Sequence, residues 1–184
     1  MAAGNAQRFG ENKLAAIFQG KPLVLWAMEA IPNSLETVVV TQYNEVETLG
    51  KAYGFHVIRN SHPEWGISHT IRLGTEYLKH CDGILYMVAD QPLLQKSSVE
   101  KLLTLWKDNP DRIVGAAHNG TRGNPNIFPK EFFPALLSLE GDRGGNGIIR
   151  QNPDRVLLVE IHKNELADVD TKGAFIEISK ATPF

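Results

Sequence analysis

Residues 83–90, GILYMVAD, form the stretch on which the reading of this chain turns. Seven nearly unbroken apolar positions that run out at a carboxylate describe a strand buried on both faces, as in a parallel sheet covered by helices on either side. Working outward, residues 37–41 (TVVVT) and 55–58 read as further strands, because β-branched and aromatic side chains suit a pleat better than a helix. Between them the apolar spacing turns helical. Leu23, Trp26, Ala27 and Ala30 share a face, with Pro22 in the first turn and Ile31-Pro32-Asn33-Ser34 as the stop. Asn44 with Glu47 is a candidate capping box ahead of Val46, Leu49 and Tyr53, and Gly54 closes that helix. Ile71, Thr75 and Leu78 mark the next inner face. Ser97 with Glu100 forms a second candidate box before Val99, Leu102, Leu103 and Trp106. Residues 112–117 and 155–161 read as strands. Strands alternating with helices predict βα units and a parallel sheet covered on both faces, in one domain over 1–184, with helices scarcer after residue 117.

Composition narrows the function classes. The chain has 184 residues, 42% hydrophobic and 22% charged, which is globular rather than disordered composition. Nineteen Lys and Arg against twenty-one Asp and Glu give a net charge of −2, so no basic excess points to nucleic acid. The single cysteine, Cys81, excludes a disulfide framework and a Cys-cluster zinc site, and its default reading is a buried, inert thiol. No apolar run is long enough to span a bilayer and the opening residues resemble no secretory signal, so the expectation is a soluble cytoplasmic protein without membrane or nucleic-acid partners.

Four segments could carry chemistry. Residues 4–13 bring Gly4 and Gly10 together with Arg8 and Lys13; the spacing fits neither a P-loop nor a dinucleotide fingerprint. Backbone N–H groups in such a turn can still cradle phosphate, with Arg8 and Lys13 as cationic donors; the plain alternative is a turn with solvated charges. Asp90 stands where its strand ends, the place at which open α/β sheets bind ligands. There it could hold Mg²⁺, a cation that prefers oxygen ligands, or merely cap a turn. Asp168 and Asp170, two apart in an extended segment, face the same way and could share a cation or form a solvated acidic turn. The fourth group is the polar, glycine-rich loops at 60–68, 121–128 (TRGNPNIF) and 141–147 (GDRGGNG), where backbone can approach a ligand. The six histidines show no metal-ligand spacing. Trp26 and Trp106 read as core, and Trp65 lies in a loop.

Taken in order, these motifs resemble the MobA-like nucleotidyltransferases, in particular the molybdenum-cofactor cytidylyltransferase branch. The resemblance runs through residues 2–14 (AAGNAQRFGENKL), Asn60, residues 65–71 (WGISHTI), residues 89–92 (ADQP), residues 123–129 (GNPNIFP), residues 139–144 (LEGDRG) and residues 168–171 (DVDT). It implies a three-layer Rossmann-like α/β fold of the nucleotide-diphospho-sugar transferase type, with a mostly parallel mixed sheet. It implies transfer of CMP from CTP to the phosphate of molybdopterin or the molybdenum cofactor, releasing pyrophosphate. Carried onto this chain, it makes Arg8, Lys13 and Asp90 catalytic. Ala3, Gly4, Asn5, Arg8, Lys13, Asn60, Ser68 and Asp90 would bind nucleotide, and Asn124, Asn126, Asp142, Arg143 and Gly144 the acceptor. Asp90 with Asp170 or Asp168 would hold Mg²⁺. Implied partners are CTP or another NTP, a pterin-type phosphorylated acceptor, and a molybdoenzyme or its chaperone.

Alternatives within the same resemblance are a sugar-phosphate or GTP-dependent transferase and a non-catalytic cofactor-binding accessory protein. Ala2-Ala3-Gly4 looks like the cytidylyl branch. The chain also departs from the family pattern. The family's opening loop follows a first β-strand, whereas here Met1 stands directly before the glycine loop, so the expectation is either that residues preceding Met1 are missing from the sequence or that the start is short and the sheet lacks that strand. Lys172-Gly173-Ala174-Phe175 replaces the family's Pro-Glu-Asp helix start after Thr171. Gly145-Asn146 stands where Ala-Arg is common.

Overall fold

The computed structural model describes residues 1–3 and 12–179. A two-residue hairpin, β1 (Ile17–Phe18) and β2 (Lys21–Pro22), leads into α1 (Leu23–Glu29). Next come β3 (Val38–Thr41), α2 (Asn44–Ala52), β4 (His56–Arg59), α3 (Ile67–Tyr77), β5 (Gly83–Tyr86) and α4 (Lys96–Asp108). The second half holds β6 (Ile113–His118), β7 (Thr121–Pro129), α5 (Phe133–Leu137), α6 (Asn146–Gln151), β8 (Val156–Glu160) and α7 (Lys172–Ser179). β3 pairs with β4 in parallel, and a four-stranded sheet runs β5-β7-β6-β8, in which β7 alone is antiparallel. This is an α/β Rossmann-like architecture with a mixed, mostly parallel sheet.

Alternation along the strands sorts the core into two helical layers. Val39 packs with Leu23, Val24, Met28 and Val46 of α1 and α2, whereas Val38 packs with Ile71 and Leu78 on the α3 side. In β5, Ile84 and Tyr86 face the α3, α5 and α6 layer, while Leu85 and Met87 face α4 with Val99 and Leu102. Tyr86 is buried with its hydroxyl 2.8 Å from that of Thr75, and burial pushes its phenol up to about 12.

Several local expectations change. Residues 121–128 read as a loop but form most of β7, the central partner of both β5 and β6. Gly123, Asn124 and Pro125 sit in a bulge: Gly115 pairs with Asn126 and Ala117 with Arg122, leaving residues 123–125 opposite Ala116 alone. Pro125 therefore forfeits no ladder hydrogen bond, which is how proline enters an interior strand. Neither candidate capping box forms. α2 begins after Tyr43, and Asn44 instead bonds Arg59; α4 begins after Gln95, whose backbone N–H donates to Glu165. Pro22 precedes α1 and pairs in the hairpin instead of opening the helix. Thr171 receives the Ala174 N–H at 3.0 Å, so α7 forms despite Lys172-Gly173. Cys81 is partly exposed rather than buried, and burial together with Glu36 pushes its thiol up.

Candidate active site

The site is built where β5 ends. β5 ends at Tyr86; Ala89, whose N–H donates to the Met1 carbonyl, and Asp90 form a turn beyond the strand's carboxyl end. Leu14, buried at the heart of a 3₁₀ turn over Lys13–Ala15, anchors the residue before it, and the Asn12 side chain caps that turn by accepting the Leu14 N–H. Thus fixed, Lys13 Nζ lies 2.7 Å from Asp90 Oδ2, 2.8 Å from the Val169 carbonyl and 3.3 Å from Asp170 Oδ1. Burial alone would lower this ammonium. Hydrogen bonds and charge from Asp90 and Asp170 outweigh it and hold the group above its ordinary value.

Asp168 and Asp170 arrive from the far end of the chain. Buried Glu165 ties that approach down, accepting the Gln95 N–H at 3.0 Å and the His162 N–H at 3.2 Å. Gln91, also buried, donates to the Leu166 carbonyl at 3.2 Å. Val169 is then fully buried and its N–H donates to the Asp90 carbonyl at 2.9 Å, while both flanking carboxylates emerge into solvent. Since one ammonium touches both, the nearest oxygens of Asp90 and Asp170 lie within about 6 Å of each other. Asp168 is pushed up to about 6, first by withdrawal of its carboxylate from bulk water beside the protein and then by repulsion from Asp90, with the Gln91 hydrogen bond opposing. The Lys13 ammonium is thus the positive charge that Asp90 and Asp170 surround.

Beside these groups opens a crevice of about 1080 Å³, lined by Gln91, His118, Arg122, Asn124, Lys163 and Asp168. A smaller cavity of about 90 Å³ shares Asn124 and adds Asn126, Gly144 and Ile67. Asn126 is buried, donating to Gly123 and Asn124; its carbonyl oxygen lies against Gly115, where a Cβ would come within 2.6 Å. Asp142 and Arg143 stand exposed on the adjoining turn, with Asp142 close to Gly66. Asn60 and Ser68 are buried and inward-bonded: Asn60 donates to Thr70, and the Ser68 N–H reaches the Gly141 carbonyl. Ala3 is buried and its carbonyl accepts from Gln42. Gly4, Asn5 and Arg8 lie outside the described residues.

Sequence reading passed over Gln91 and Arg122. Both lie inside quoted stretches, 89–92 and 121–128, without having been given a role, and Arg122 Nη1 is buried with no partner among the described residues, although Arg122 lines the crevice. It also passed over a cluster at the opposite end of the strands, where ligand atoms of Glu36, His80 and Cys81 lie within 4.8 Å of one another. Trp65, exposed, stacks on His62 with ring centroids 4.1 Å apart. Among the described residues no helix is long and apolar enough to cross a membrane.

A lysine bridging two carboxylates thus lies beyond the carboxyl end of β5, beside an open crevice, the place at which open α/β sheets bind ligands. The family model for the MobA-like NTP transferase domain matches residues 1–156, and the chain belongs to that family. It is a nucleotidyltransferase acting on a phosphorylated acceptor. It is 27% identical to the purine catabolism protein PucB of Bacillus subtilis, over 98% of this chain and 94% of that protein. It is 26% identical to a probable molybdenum cofactor guanylyltransferase of the same organism, over 74% of this chain and 68% of that one. A mycobacterial (strain JC1) homologue of Mycobacterium tuberculosis Rv0371c superposes with a TM-score of 0.81 at 20% identity, covering 97% and 91% of the two chains.

Proposed function

We propose that this protein transfers a nucleoside monophosphate from GTP to the phosphate of a pterin-type acceptor of the molybdenum-cofactor class, in the cytoplasm, for delivery to a molybdoenzyme or its chaperone. The observation that carries the transfer chemistry is the Lys13 ammonium held between Asp90 and Asp170 at the strand ends. GTP is favoured by the likeness to a probable guanylyltransferase. Ala2-Ala3-Gly4 favours CTP as the second reading.

In this reading the acceptor phosphate oxygen forms a bond to the α-phosphorus as the α–β bridging bond breaks, and pyrophosphate leaves on the opposite side. The acceptor phosphate is already ionised near neutral pH, so no covalent nucleophile or strong base is required. Lys13 and Arg8 hold the triphosphate, with Ala3, Gly4, Asn5, Asn60 and Ser68 shaping the nucleotide side. Asp90 orients Lys13, and Asp90, Asp170 and Asp168 would hold Mg²⁺, which supplies charge neutralisation at the phosphates. Arg122, whose Nη1 has no partner among the described residues, joins Asn124, Asn126, Asp142, Arg143 and Gly144 in receiving the acceptor.

The test is pyrophosphate release with Mg²⁺, molybdenum cofactor and each NTP in turn. GTP-dependent release that disappears in Asp90→Ala is expected. Release with CTP alone would move the donor to the second reading, and no release with any nucleotide from folded protein would overturn the proposal.

A further inference from the structure

The amino ends of β3 and β5 carry a second group of donor side chains, at the other end of the strands from Asp90. Glu36 stands two residues before β3, and His80 and Cys81 lie in the turn that leads from α3 into β5. A carboxylate oxygen, an imidazole nitrogen and the sulfur lie within 4.8 Å of one another. His80 Nε2 and Glu36 Oε2 are 2.8 Å apart, although 44 positions separate them in the chain. No sequence spacing marks such a set, because two loops that are distant in the chain supply it.

Both loops are pinned through their backbones. The Cys81 N–H donates to the Leu78 carbonyl at 2.9 Å, and the Asp82 carbonyl accepts the Lys130 N–H at 2.8 Å. On the other arm the Thr37 hydroxyl donates to the Leu35 carbonyl at 3.1 Å, and the Thr37 carbonyl accepts the His56 N–H at 3.1 Å. The side chains themselves stay free to turn. Those of His80 and Glu36 are 59% and 48% exposed, which leaves an open path for a solvated ion.

We infer that Glu36, His80 and Cys81 form a binding site for Zn²⁺, held by three protein donors with water in the fourth position. The donor set selects the ion. Thiolate and imidazole suit zinc, whereas Mg²⁺ and Ca²⁺ take oxygen ligands. Asp90, Asp168 and Asp170 offer carboxylate oxygens, so the two ends of β5 differ in the cations they favour. The geometry asks little of the chain. Around tetrahedral zinc, with bonds of about 2.0–2.3 Å, donor atoms stand about 3.4–3.6 Å apart. The Glu36–His80 pair must therefore open by about 0.6 Å and the widest pair close by at most about 1.3 Å, which rotation of exposed side chains supplies. Burial, then the Glu36 and Asp82 carboxylates, push the Cys81 thiol up, with Lys130 opposing. As the sulfur–zinc bond forms, the thiol proton passes to solvent, and the charge of the ion offsets the same two carboxylates. Bound zinc clips the approach to β3 onto the turn after α3 and stabilises the folded chain by mass action. The site uses no nucleotide, acceptor or Mg²⁺, so it stands apart from the proposed transfer.

The test uses the full chain without nucleotide, acceptor or Mg²⁺, titrated with Co²⁺ as a spectroscopic stand-in for zinc. Cys81 is the single cysteine, so a thiolate-to-cobalt charge-transfer band reports this site alone. The band should saturate at one ion per chain and bleach as Zn²⁺ displaces the cobalt. Cys81→Ser should abolish it. His80→Ala and Glu36→Gln should each raise the Co²⁺ concentration at half-saturation by at least the roughly tenfold that loss of even an outer contact costs. Asp90→Asn should leave the band and its midpoint unchanged. At about a hundredfold excess over its dissociation constant, Zn²⁺ should raise the thermal midpoint by about 5 °C more in wild type than in Cys81→Ser. Absence of the band at saturating Co²⁺ would overturn the inference, as would a band indifferent to both His80→Ala and Glu36→Gln. So would saturation at one ion per two chains in a dimer, because the sulfur would then bridge two molecules instead of completing this site.

Discussion

Lys13 is the residue whose loss should be felt most narrowly. Lys13→Met removes the positive centre and leaves Asp90 and Asp170 facing each other, so nucleotidyl transfer should fall by about 10²–10³-fold while circular dichroism stays native. Asp90→Asn should cost a similar factor and weaken Mg²⁺ binding, read by calorimetry. Asp168 supplies a pH signature. Its folded value of about 6 lies above the 3.8 of an ordinary Asp, so folding disfavours its ionised form. The stability it contributes is complete below about 3.8 and is lost as pH rises through about 6. In metal-free protein, Asp168→Asn should therefore melt slightly higher than wild type above pH 6 and equally at pH 3.5. The margin is small, since the side chain is open to screening solvent. Saturating Mg²⁺ should reverse the order above pH 6, because the carboxylate then gains an opposite charge.

Among the elements, the start of α3 depends most on one backbone position. Gly66 has φ +81° and ψ −176°, a region open essentially to glycine alone, and a Cβ there would lie 2.5 Å from the Gly141 backbone. Gly66→Ala should cost about 1–3 kcal/mol in chemical denaturation and break the Ser68–Gly141 hydrogen bond, displacing the turn that carries Asp142 and Arg143. Helix interiors were legible because Ile71 with Thr75 and Leu78, and Val99 with Leu102, recur at helical spacing and are indeed buried. Helix starts were not. Asn44 and Ser97 carry the right chemistry for caps, but Arg59 engages Asn44, and Glu165, seventy positions downstream of Gln95, receives the N–H at the head of α4. β7 escaped for a related reason: Gly123, Asn124 and Pro125 look like loop residues because a bulge spares them the pairing a strand normally demands.

At the scale of the whole molecule, Asp90 could be read from sequence because it ends an apolar strand, and the Asp168/Asp170 pair because alternate residues share a side. Their meeting through Lys13, 157 positions from Asp170, is a property of the closed fold alone. Arg122 had no such mark; its interest lies in a buried nitrogen without a partner among the described residues, which only packing creates. The return of the distal carboxylates is held by Val169 and by α7, where Phe175 meets Phe18 edge-on with ring centroids 5.6 Å apart. Phe175→Ala should destabilise the protein by about 1–3 kcal/mol and raise the Mg²⁺ concentration needed for half-maximal activity, without touching a ligand itself. The hydrogen bond from the Val169 N–H to the Asp90 carbonyl also orders events in time. A chain emerging from the ribosome presents Lys13 and Asp90 long before Asp168 and Asp170 are translated. Nucleotide cannot be committed to reaction on a half-made polypeptide, and a frameshift between Asp90 and Asp168 yields a product without the distal carboxylates.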